Sequence, residues 1–413
     1  MDNKKGTFEP YSLKNKLKTK FGLNMLKYLG YTFFIPFWYL IKLFPRDENI
    51  WVFGSWFGDR FSDNPKVLFE YSLNQKNDNI KCVWLTNNNS VYLEHKNSYV
   101  YFFKKWSLKG IWYSLRAKKI IFSSGKVDVN PFFINGAITI NLWHGAPMKK
   151  IGLDNKLVFN KYINILKIYI YPFIYEYNIN YILSTSKIFD EKLSKAFNVR
   201  KENVLKFGYP RNDIFFKYSY KNSIIKKIDK EFNSPLKIMY LPTFRDGGDN
   251  NELFNNYGFN PLTLNNYLEK INSIFIIKGH YASNSINFEK QYSRIINLEN
   301  YENVDVNLIL KNIDILLTDY SGAYFDFLLT KKPIIFTSFD FDEYITKRRE
   351  LYFDYHTIIS GPVAKNWSEV INCIDSIILK DVFEDQRIEM NNNFNEYNDG
   401  FSSKKLYNFI KSL

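Results

Sequence analysis

Short apolar segments recur along this chain, and polar, glycine or proline residues bound each of them. Many are rich in Ile, Val, Phe and Tyr, a pattern typical of strands buried on both faces. Helical segments lie between them, and one is predicted to begin with Asn64 as its cap and Pro65 as its first residue. Strands that alternate with helices predict a parallel α/β sheet. In the first half of the chain, the predicted strand regions are Ile50–Phe53, Ile80–Thr86, Ser98–Phe103, Lys119–Ser124, Ala137–Gly145, Tyr181–Lys187 and Asn203–Asp213.

A lysine-rich stretch, residues 217–234, separates this series from a second one of the same kind. Two doubly wound halves in succession predict a ligand cleft between them, at the carboxyl ends of their strands. We therefore predict a Rossmann-like domain at 46–216, a connector at 217–234 and a second Rossmann-like domain at 235–413, with the last helix free to pack back on the first domain. The strand regions of the second series are Pro235–Asp246, Ser273–His280, Asp314–Gly322 and Lys331–Phe336.

Residues 1–45 are first rich in lysine and then aromatic. Their apolar part, Tyr28–Phe44, is broken by Pro36, contains Lys42, and is short for a membrane span of about 20 residues. Lysines followed by Trp, Tyr and Phe are typical of segments that lie among lipid headgroups. We predict that 1–45 attaches to an anionic membrane surface, in preference to the alternative that 28–44 spans the membrane. A second alternative is a helix docked on its own domain.

A second aromatic and basic stretch, Lys161–Leu183, has Pro172 near its centre. It is either a further surface patch of the same kind or a pair of buried helices that meet at the proline.

The charge balance favours anionic partners. Lys and Arg number 56 against 42 Asp and Glu, which gives a net charge of +14. Zinc-finger spacing, RNP-like stretches and basic heptads are missing from the sequence, so nucleic acid is not expected as a partner. The two cysteines, Cys82 and Cys373, are too few for a disulfide framework and indicate a reducing compartment.

Common cofactor and metal motifs are also missing. The chain has no G-x-G-x-x-G, P-loop, H-E-x-x-H, G-x-S-x-G or C-x-x-C sequence. Asp340 and Asp342 form a D-x-D pair in a polar stretch, which is weak evidence for a metal. We expect neither a cofactor nor a catalytic metal.

The segment Asp314–Leu329 holds the strongest local motif. An apolar strand runs into Thr318, Asp319, Ser321 and Gly322, and a helix follows. We predict that Ser321 caps this helix and that its first N–H groups, with the nearby hydroxyls, bind phosphate. The alternative is an ordinary capped turn.

Two of the four histidines follow apolar strands directly. His144 does so in the first half and His280 in the second, so both are expected at the cleft. Imidazole is the side chain best matched to proton transfer near neutral pH. We predict that the pair divides general-base work from stabilisation of a departing phosphate.

Two arginines lie close to strand ends as well. Arg245, with Thr243, ends a strand of the second half, and Arg211 lies near the junction of the halves. Arginine suits bidentate contact with phosphate. An ion pair between the halves is the alternative for each.

Taken together and in order, these motifs resemble the CDP-glycerol glycerophosphotransferase family of teichoic acid and capsule synthesis. The resemblance extends over roughly residues 50–355. The matching stretches are Phe53–Tyr71, Asn141–Gly152, Phe207–Asp213, Leu241–Asp246, Lys278–His280, Leu317–Phe327, Lys331–Phe336 and Asp342–Tyr355.

The resemblance implies a GT-B fold with two Rossmann-like domains, the acceptor in the first and the donor in the second. It implies His144 as the base and His280 as a contact of the donor pyrophosphate. The sequence departs from the family at Tyr281, Gly322 and Arg349–Glu350, and the first two put the identity of the alditol in doubt. The implied donor residues are Thr243, Arg245, Lys278, Thr318, Asp319, Ser321 and Gly322, and possible acceptor or cleft residues are Gly145, Lys149, Arg211 and Asp213.

The implied reaction is transfer of an alditol phosphate, glycerol phosphate first, from a CDP-alditol to a hydroxyl of a lipid-linked acceptor, either polyanionic or a disaccharide. The implied location is the cytoplasmic face of the bacterial membrane, as a peripheral protein. A CDP-ribitol-dependent enzyme and a GT-B glycosyltransferase that uses a sugar nucleotide are alternatives. A membrane-surface binding module without catalysis is a third.

Overall fold

The fold is built on two parallel β-sheets that follow one another along the chain. The structure is a computed structural model, and it describes residues 28–75, 78–155, 170–173, 177–217, 222–243, 245, 252–278, 291–298, 301, 305–347 and 350–413. His280 and Tyr281 therefore lie outside the described residues, as does most of the aromatic stretch 161–183.

The first sheet has seven strands in the order β3-β2-β1-β4-β5-β6-β7, and each neighbouring pair is parallel. The strand order reverses between β1 and β4. In open α/β sheets, ligands bind beyond the carboxyl ends of the strands at such a switch point. The strands are β1 (Asp47–Phe53), β2 (Lys81–Thr86), β3 (Phe102–Lys104), β4 (Ala117–Phe122), β5 (Ile138–Asn141), β6 (Tyr181–Leu183) and β7 (Val204–Leu205).

The second sheet repeats this plan with five parallel strands in the order β10-β9-β8-β11-β12. Its switch point lies between β8 and β11. The turns after these two strands carry the predicted donor residues Thr243 and Asp319. The strands are β8 (Leu236–Leu241), β9 (Ser273–Ile277), β10 (Ile295–Asn297), β11 (Ile315–Thr318) and β12 (Ile334–Phe336).

Helices cover both sheets, which explains why the strands are apolar on both faces. The α-helices are 28–41, Asp63–Leu73, Asn89–His95, Leu108–Arg116, Lys187–Phe197, Ser223–Glu231, Glu252–Asn255, Pro261–Lys270, Val306–Leu310, Ala323–Phe327, Phe341–Lys347, Tyr355–Ile358, Trp367–Leu379, Glu384–Phe394 and Ser402–Ser412. Short 3₁₀ turns lie at Trp56–Gly58, Lys126–Asp128, Gly152–Asp154, Lys201–Asn203, Pro210–Phe216 and Leu328–Thr330.

The predicted helix cap at Asn64 is wrong. The helix starts at Asp63 with Ser62 at the cap position. The Asn64 side chain instead donates to the carbonyls of Leu142 and Trp143 and accepts the backbone N–H of Arg211. Asn64 therefore joins this helix to two loops of the first half.

The first described helix, 28–41, contacts the first half through one face. Phe34 lies 4.9 Å from Phe132 and 5.9 Å from Phe173, measured between ring centroids. The Asn135 side chain donates to the carbonyl of Trp38. Among the described helices, none combines the length and the apolar character that a membrane crossing needs.

The chain crosses between the halves a second time near its end. The helix Glu384–Phe394 contacts the second half, where Phe394 lies 4.7 Å from Phe325. The helix Ser402–Ser412 then contacts the first half, where Tyr407 lies 5.4 Å from Trp51. The last helix is thus part of the first half's packing.

Candidate active site

His144 lies three residues beyond the end of β5, in a tight turn. The Asn141 side chain accepts the backbone N–H of Trp143, and Trp143 has a φ of 54°. Gly145 has a φ of +146°, and a Cβ there would lie 3.1 Å from Nη2 of Arg211. A glycine is therefore needed at 145 to keep the turn and the arginine together.

The hydrogen bond of His144 defines which ring nitrogen can act as a base. Its Nδ1 lies 3.2 Å from the carbonyl oxygen of Ser123, just beyond β4. A carbonyl can only accept, so Nδ1 carries the proton and Nε2 has the free lone pair. Burial lowers the pKa of His144 below its ordinary value, against the opposing effect of Asp63. The ring is therefore neutral at pH 7 and able to take a proton.

Trp56 supports the imidazole. Its ring centroid lies 5.2 Å from that of His144. Its Nε1 donates to Oδ2 of Asp63 at 3.0 Å, which fixes the indole. Trp56 and Phe57 both have positive φ, at 47° and 62°. Such strain in bulky residues persists only where the surroundings hold it.

Asp128 holds that strained turn and the Ser123 carbonyl in one frame. It is fully buried and accepts the backbone N–H groups of Phe57, Ser123 and Ser124 at 2.7–2.8 Å. Burial raises its pKa to about 6, although these hydrogen bonds oppose the rise. The Asp128 carboxylate thus positions the Trp56–Phe57 turn and the Ser123 carbonyl, which both lie against the His144 ring.

Arg211 connects the His144 turn to the second half. Its Nη1 donates to Oδ1 of Asp63 at 3.0 Å and to the carbonyl of His144 at 2.8 Å, and its Nη2 bonds Oδ2 of Asp326. Asn212 donates to the other oxygen of Asp326. Burial alone would lower the pKa of Arg211, but Asp326 and Asp63 outweigh it and raise the pKa above its ordinary value. Of the two predicted roles of Arg211, the structure shows the ion pair between the halves.

The turn after β11 meets the His144 loop directly. A Cβ at Gly322 would lie 2.8 Å from the backbone oxygen of Ala146, so only glycine permits this approach. Ser321 accepts the N–H of Ala323 through its Oγ at 3.3 Å, but Gly322 holds the cap position of the helix Ala323–Phe327. The structure therefore brings Ser321 and Gly322 next to the loop that carries His144.

Asp319 and Arg245 form a buried ion pair within the second half. Asp319 accepts the N–H of Thr243 and Nη2 of Arg245, each at 2.8 Å. Arg245 also makes a bidentate contact with Asp340, and its guanidinium lies 5.2 Å and 5.0 Å from the ring centroids of the stacked Tyr320 and Tyr344. Burial lowers the pKa of Arg245, but the two carboxylates outweigh it and the pKa rises. The Arg245 charge is thus used inside the protein, where it shapes the strand end.

The remaining predicted donor residues lie at strand ends of the same sheet. Thr318 donates to the carbonyl of Leu241, and Lys278 follows β9 directly. Oγ1 of Thr243 is buried and has no hydrogen-bond partner among the described residues. A buried hydroxyl without a partner is costly, and a bound ligand would satisfy it.

Two of the possible acceptor residues have structural contacts. The Nζ of Lys149 lies 5.6 Å from the ring centroid of Tyr344 in the second half, and Lys149 forms a β-bridge with Leu351. Asp213 is buried and accepts the N–H groups of Ser402 and Ser403, at the start of the last helix. Asp213 therefore caps a helix.

Sequence reasoning missed the residues that hold the site together: Trp56, Asp63, Asp128 and Asp326. Their roles depend on contacts between residues far apart in the chain, as in the bond from Arg211 to Asp326. A carboxylate next to a predicted strand end or helix start is the signal that could have pointed to Asp63, Asp128 and Asp326, because a buried charge needs a partner.

Comparisons with known proteins identify the family of the chain and its fold. The family model described as CDP-glycerol:poly(glycerophosphate) glycerophosphotransferase matches residues 37–412. A teichoic acid poly(glycerol phosphate) polymerase of Bacillus spizizenii is 29% identical over 409 residues, covering 95% of this chain and 98% of the relative. A teichoic acid glycerol-phosphate transferase of Staphylococcus aureus is 30% identical over 369 residues, covering 85% and 89%.

A solved structure of the wall teichoic acid polymerase TagF superposes with a TM-score of 0.72 at 22% identity, and 98% of each chain is covered. That likeness concerns the fold, and it confirms the predicted α/β architecture of the GT-B type. Since the family model spans nearly the whole described chain, this protein belongs to the CDP-glycerol:poly(glycerophosphate) glycerophosphotransferase family.

Proposed function

We propose that this protein transfers glycerol phosphate from CDP-glycerol to a hydroxyl of a lipid-linked acceptor and releases CMP. The observation that carries the proposal is the contact between the two halves at the candidate site. His144, with Nε2 free to accept a proton, lies on the loop that touches the Ser321–Gly322 turn. A base from one half and a phosphate-binding turn from the other are the parts that phosphoryl transfer needs.

In the proposed reaction, the acceptor hydroxyl attacks the phosphorus that bears the glycerol. Its proton moves to Nε2 of His144 as the new P–O bond forms. The P–O bond to the CMP phosphate breaks, and that oxygen leaves with the electron pair. Because burial keeps His144 neutral, it can accept this proton near pH 7.

The second half supplies the donor site in this proposal. Thr243 offers its unpartnered hydroxyl, and Ser321 offers a partly exposed one. Arg245 and Asp319 act indirectly, since their buried ion pair shapes the end of β8 and the turn after β11. Lys278 at the end of β9 adds positive charge, and the predicted pyrophosphate contact of His280 stays a prediction.

The donor is tested by measuring CMP release from CDP-glycerol and CDP-ribitol, and UDP release from a UDP-sugar, each with a soluble alditol-phosphate acceptor. We expect CDP-glycerol to give the highest kcat/KM. Faster turnover of CDP-ribitol would establish the ribitol alternative, and UDP release would establish a glycosyltransferase. Binding to lipid vesicles without release from any donor would leave only the membrane-surface module.

For the membrane, we propose that the exposed face of helix 28–41 rests on an anionic lipid surface. Phe33 in this helix is 78% exposed, and Leu43, just beyond its end, is 80% exposed. Leu108, 89% exposed, and Trp112 extend this apolar face, and Phe44 contacts the Trp112 ring. A large exposed apolar face of this kind marks an interaction surface.

Basic side chains accompany these apolar residues along the chain. Lys42, Lys104 and Lys109 are exposed, and the Arg116 guanidinium lies 5.9 Å from the Trp112 ring centroid. Each cation near an anionic leaflet adds about 1 kcal/mol of attraction. Charge and apolar area therefore favour the same occupant, an anionic membrane.

Replacing Phe33, Phe37 and Leu40 by serine is expected to release the protein from vesicles that contain anionic lipid. Each of these side chains contributes about 1.5–3 kcal/mol when buried, so the partition coefficient should fall at least about 100-fold. Vesicle sedimentation measures this. Deleting the helix would be a poorer test, because its other face covers Phe132 and Phe173.

The matched control replaces Leu379 and Phe401, exposed apolar residues outside this face, by serine. The control protein should sediment like the wild type. Undiminished sedimentation of the triple variant would exclude this face as the attachment surface.

A further inference from the structure

The loop that follows β1 places an exposed arginine beside the candidate base. The guanidinium carbon of Arg60 lies 5.2 Å from the centroid of the Trp56 ring. The same Trp56 centroid lies 5.2 Å from the imidazole centroid of His144. The guanidinium and the imidazole are therefore no farther apart than these two distances together.

This loop is held rigidly. Trp56, Phe57 and Gly58 all have positive φ, at 47°, 62° and 86°. Asp128 accepts the N–H of Phe57 at 2.7 Å, and the buried Ser55 hydroxyl donates to the carbonyl of Arg60 at 2.8 Å. The two non-glycine residues in this region, Trp56 and Phe57, cost energy that neighbouring contacts must offset, and such strain concentrates at functional sites.

The charge of Arg60 faces solvent, unlike that of the other arginines of the site. Arg211 and Arg245 are buried between carboxylates. Arg60 is exposed, and no ion pair of its guanidinium is present among the described residues. The nearby Asp63 is already engaged by Trp56 and Arg211. The guanidinium is thus oriented by an aromatic ring and keeps its donors for a ligand.

We propose that Arg60 binds a phosphate of the acceptor next to the hydroxyl that His144 deprotonates, and so makes the site selective for an acceptor that ends in an alditol phosphate. This inference rests on the function proposed above. In such an end, only a few covalent bonds separate the free hydroxyl from its phosphate, so a cation near the base reaches it. A neutral disaccharide offers no anion at that position, and a guanidinium pairs with phosphate in a bidentate manner.

The test compares Arg60→Gln with the wild type on two soluble acceptors, a short glycerol phosphate oligomer and a neutral disaccharide glycoside. With the oligomer, we expect KM to rise about tenfold or more, since a charge-assisted contact is lost, while kcat changes little. With the neutral acceptor, KM should stay the same. Arg60→Lys keeps the charge and should recover part of the affinity, and added salt should raise KM more for the wild type than for Arg60→Gln.

Arg294→Gln is the matched control. Its guanidinium lies 5.0 Å from the Phe232 ring, so it is also an arginine over an aromatic ring. Arg294 precedes β10 directly, at the amino end of the second sheet and away from the cleft. The control removes the same charge and should leave both KM values unchanged.

Unchanged KM for the oligomer in Arg60→Gln, or an equal rise for both acceptors, would overturn the assignment of Arg60 while the proposed function stands. If the wild type released CMP from no CDP-alditol, the proposed function and this inference would both be overturned.

Discussion

A His144→Gln variant should lose about 10²- to 10⁴-fold in kcat/KM, the usual contribution of a general base. The glutamine amide can still donate to the Ser123 carbonyl, so the turn keeps its contact, but the side chain has no basic nitrogen. CMP release at saturating donor measures the loss. Binding of the donor should change little, because the ring belongs to the first half of the molecule.

The pH profile gives this prediction a second readout. Burial lowers the pKa of His144 from its ordinary value of about 6.5, so the basic form persists below that pH. The acid limb of kcat/KM in the wild type should therefore lie below pH 6.5, and the variant should lack it. Protonation of this buried ring also lowers the free energy of unfolding as the pH falls below about 6.5. Unfolding is therefore measured at each pH, to separate loss of stability from loss of turnover.

The matched control for this variant is His356→Gln. His356 is exposed on the short helix Tyr355–Ile358 and contacts the Phe341 ring. We expect it to keep wild-type turnover. A His144→Gln protein that folds normally and retains turnover within a factor of three would exclude His144 as the base.

Replacing Arg211 by methionine is expected to destabilise the protein by about 3–5 kcal/mol, the cost of leaving buried carboxylates without their cation. Asp63 and Asp326 are both almost fully buried. The change should also lower activity, because Arg211 holds the His144 carbonyl. Denaturant unfolding of the full chain measures the first effect, and CMP release the second.

The double variant Arg211→Met with Asp326→Asn separates the effect of unpaired buried carboxylates from the effect of the changed side-chain shape at 211. Removing one of the two stranded carboxylates should restore part of the stability, so the two changes should be strongly non-additive. Lys405→Met is the control, since Lys405 pairs with Asp399 at the exposed surface, where such pairs contribute about 0–1 kcal/mol. If Arg211→Met were no more destabilising than the control, the buried network would not join the halves energetically.

The sequence predicted which segments form strands more accurately than it predicted the residues at which each strand begins and ends. Buried parallel strands are apolar throughout, so the pattern detects them, and β4, β8 and β11 overlap their predicted regions closely. It placed β3 too early, since Tyr99 and Tyr101 are aromatic but precede the strand Phe102–Lys104. The short strand β10 was missed because Ile295–Asn297 carries too few residues for a pattern.

The site was predictable where it depends on position along a strand. In a parallel sheet, ligands bind beyond the carboxyl ends of the strands. His144 lies just beyond the end of β5, and the Ser321 turn lies just beyond the end of β11. The partners of these residues were not predictable, because Asp63 meets Arg211 only once the first half has folded, and Asp326 meets it only after the halves assemble. The helix 28–41 shows a similar limit, since its aromatic residues serve both a packed face and an exposed one.

The return of the chain to the first half has a mechanical consequence. The polypeptide joins the halves both before β8 and again between Phe394 and Ser402. Any rotation of one half against the other must leave both connections intact, so its axis would run close to the line between them. Two connections resist twisting of one half against the other, so the His144 loop and the Ser321 turn stay aligned.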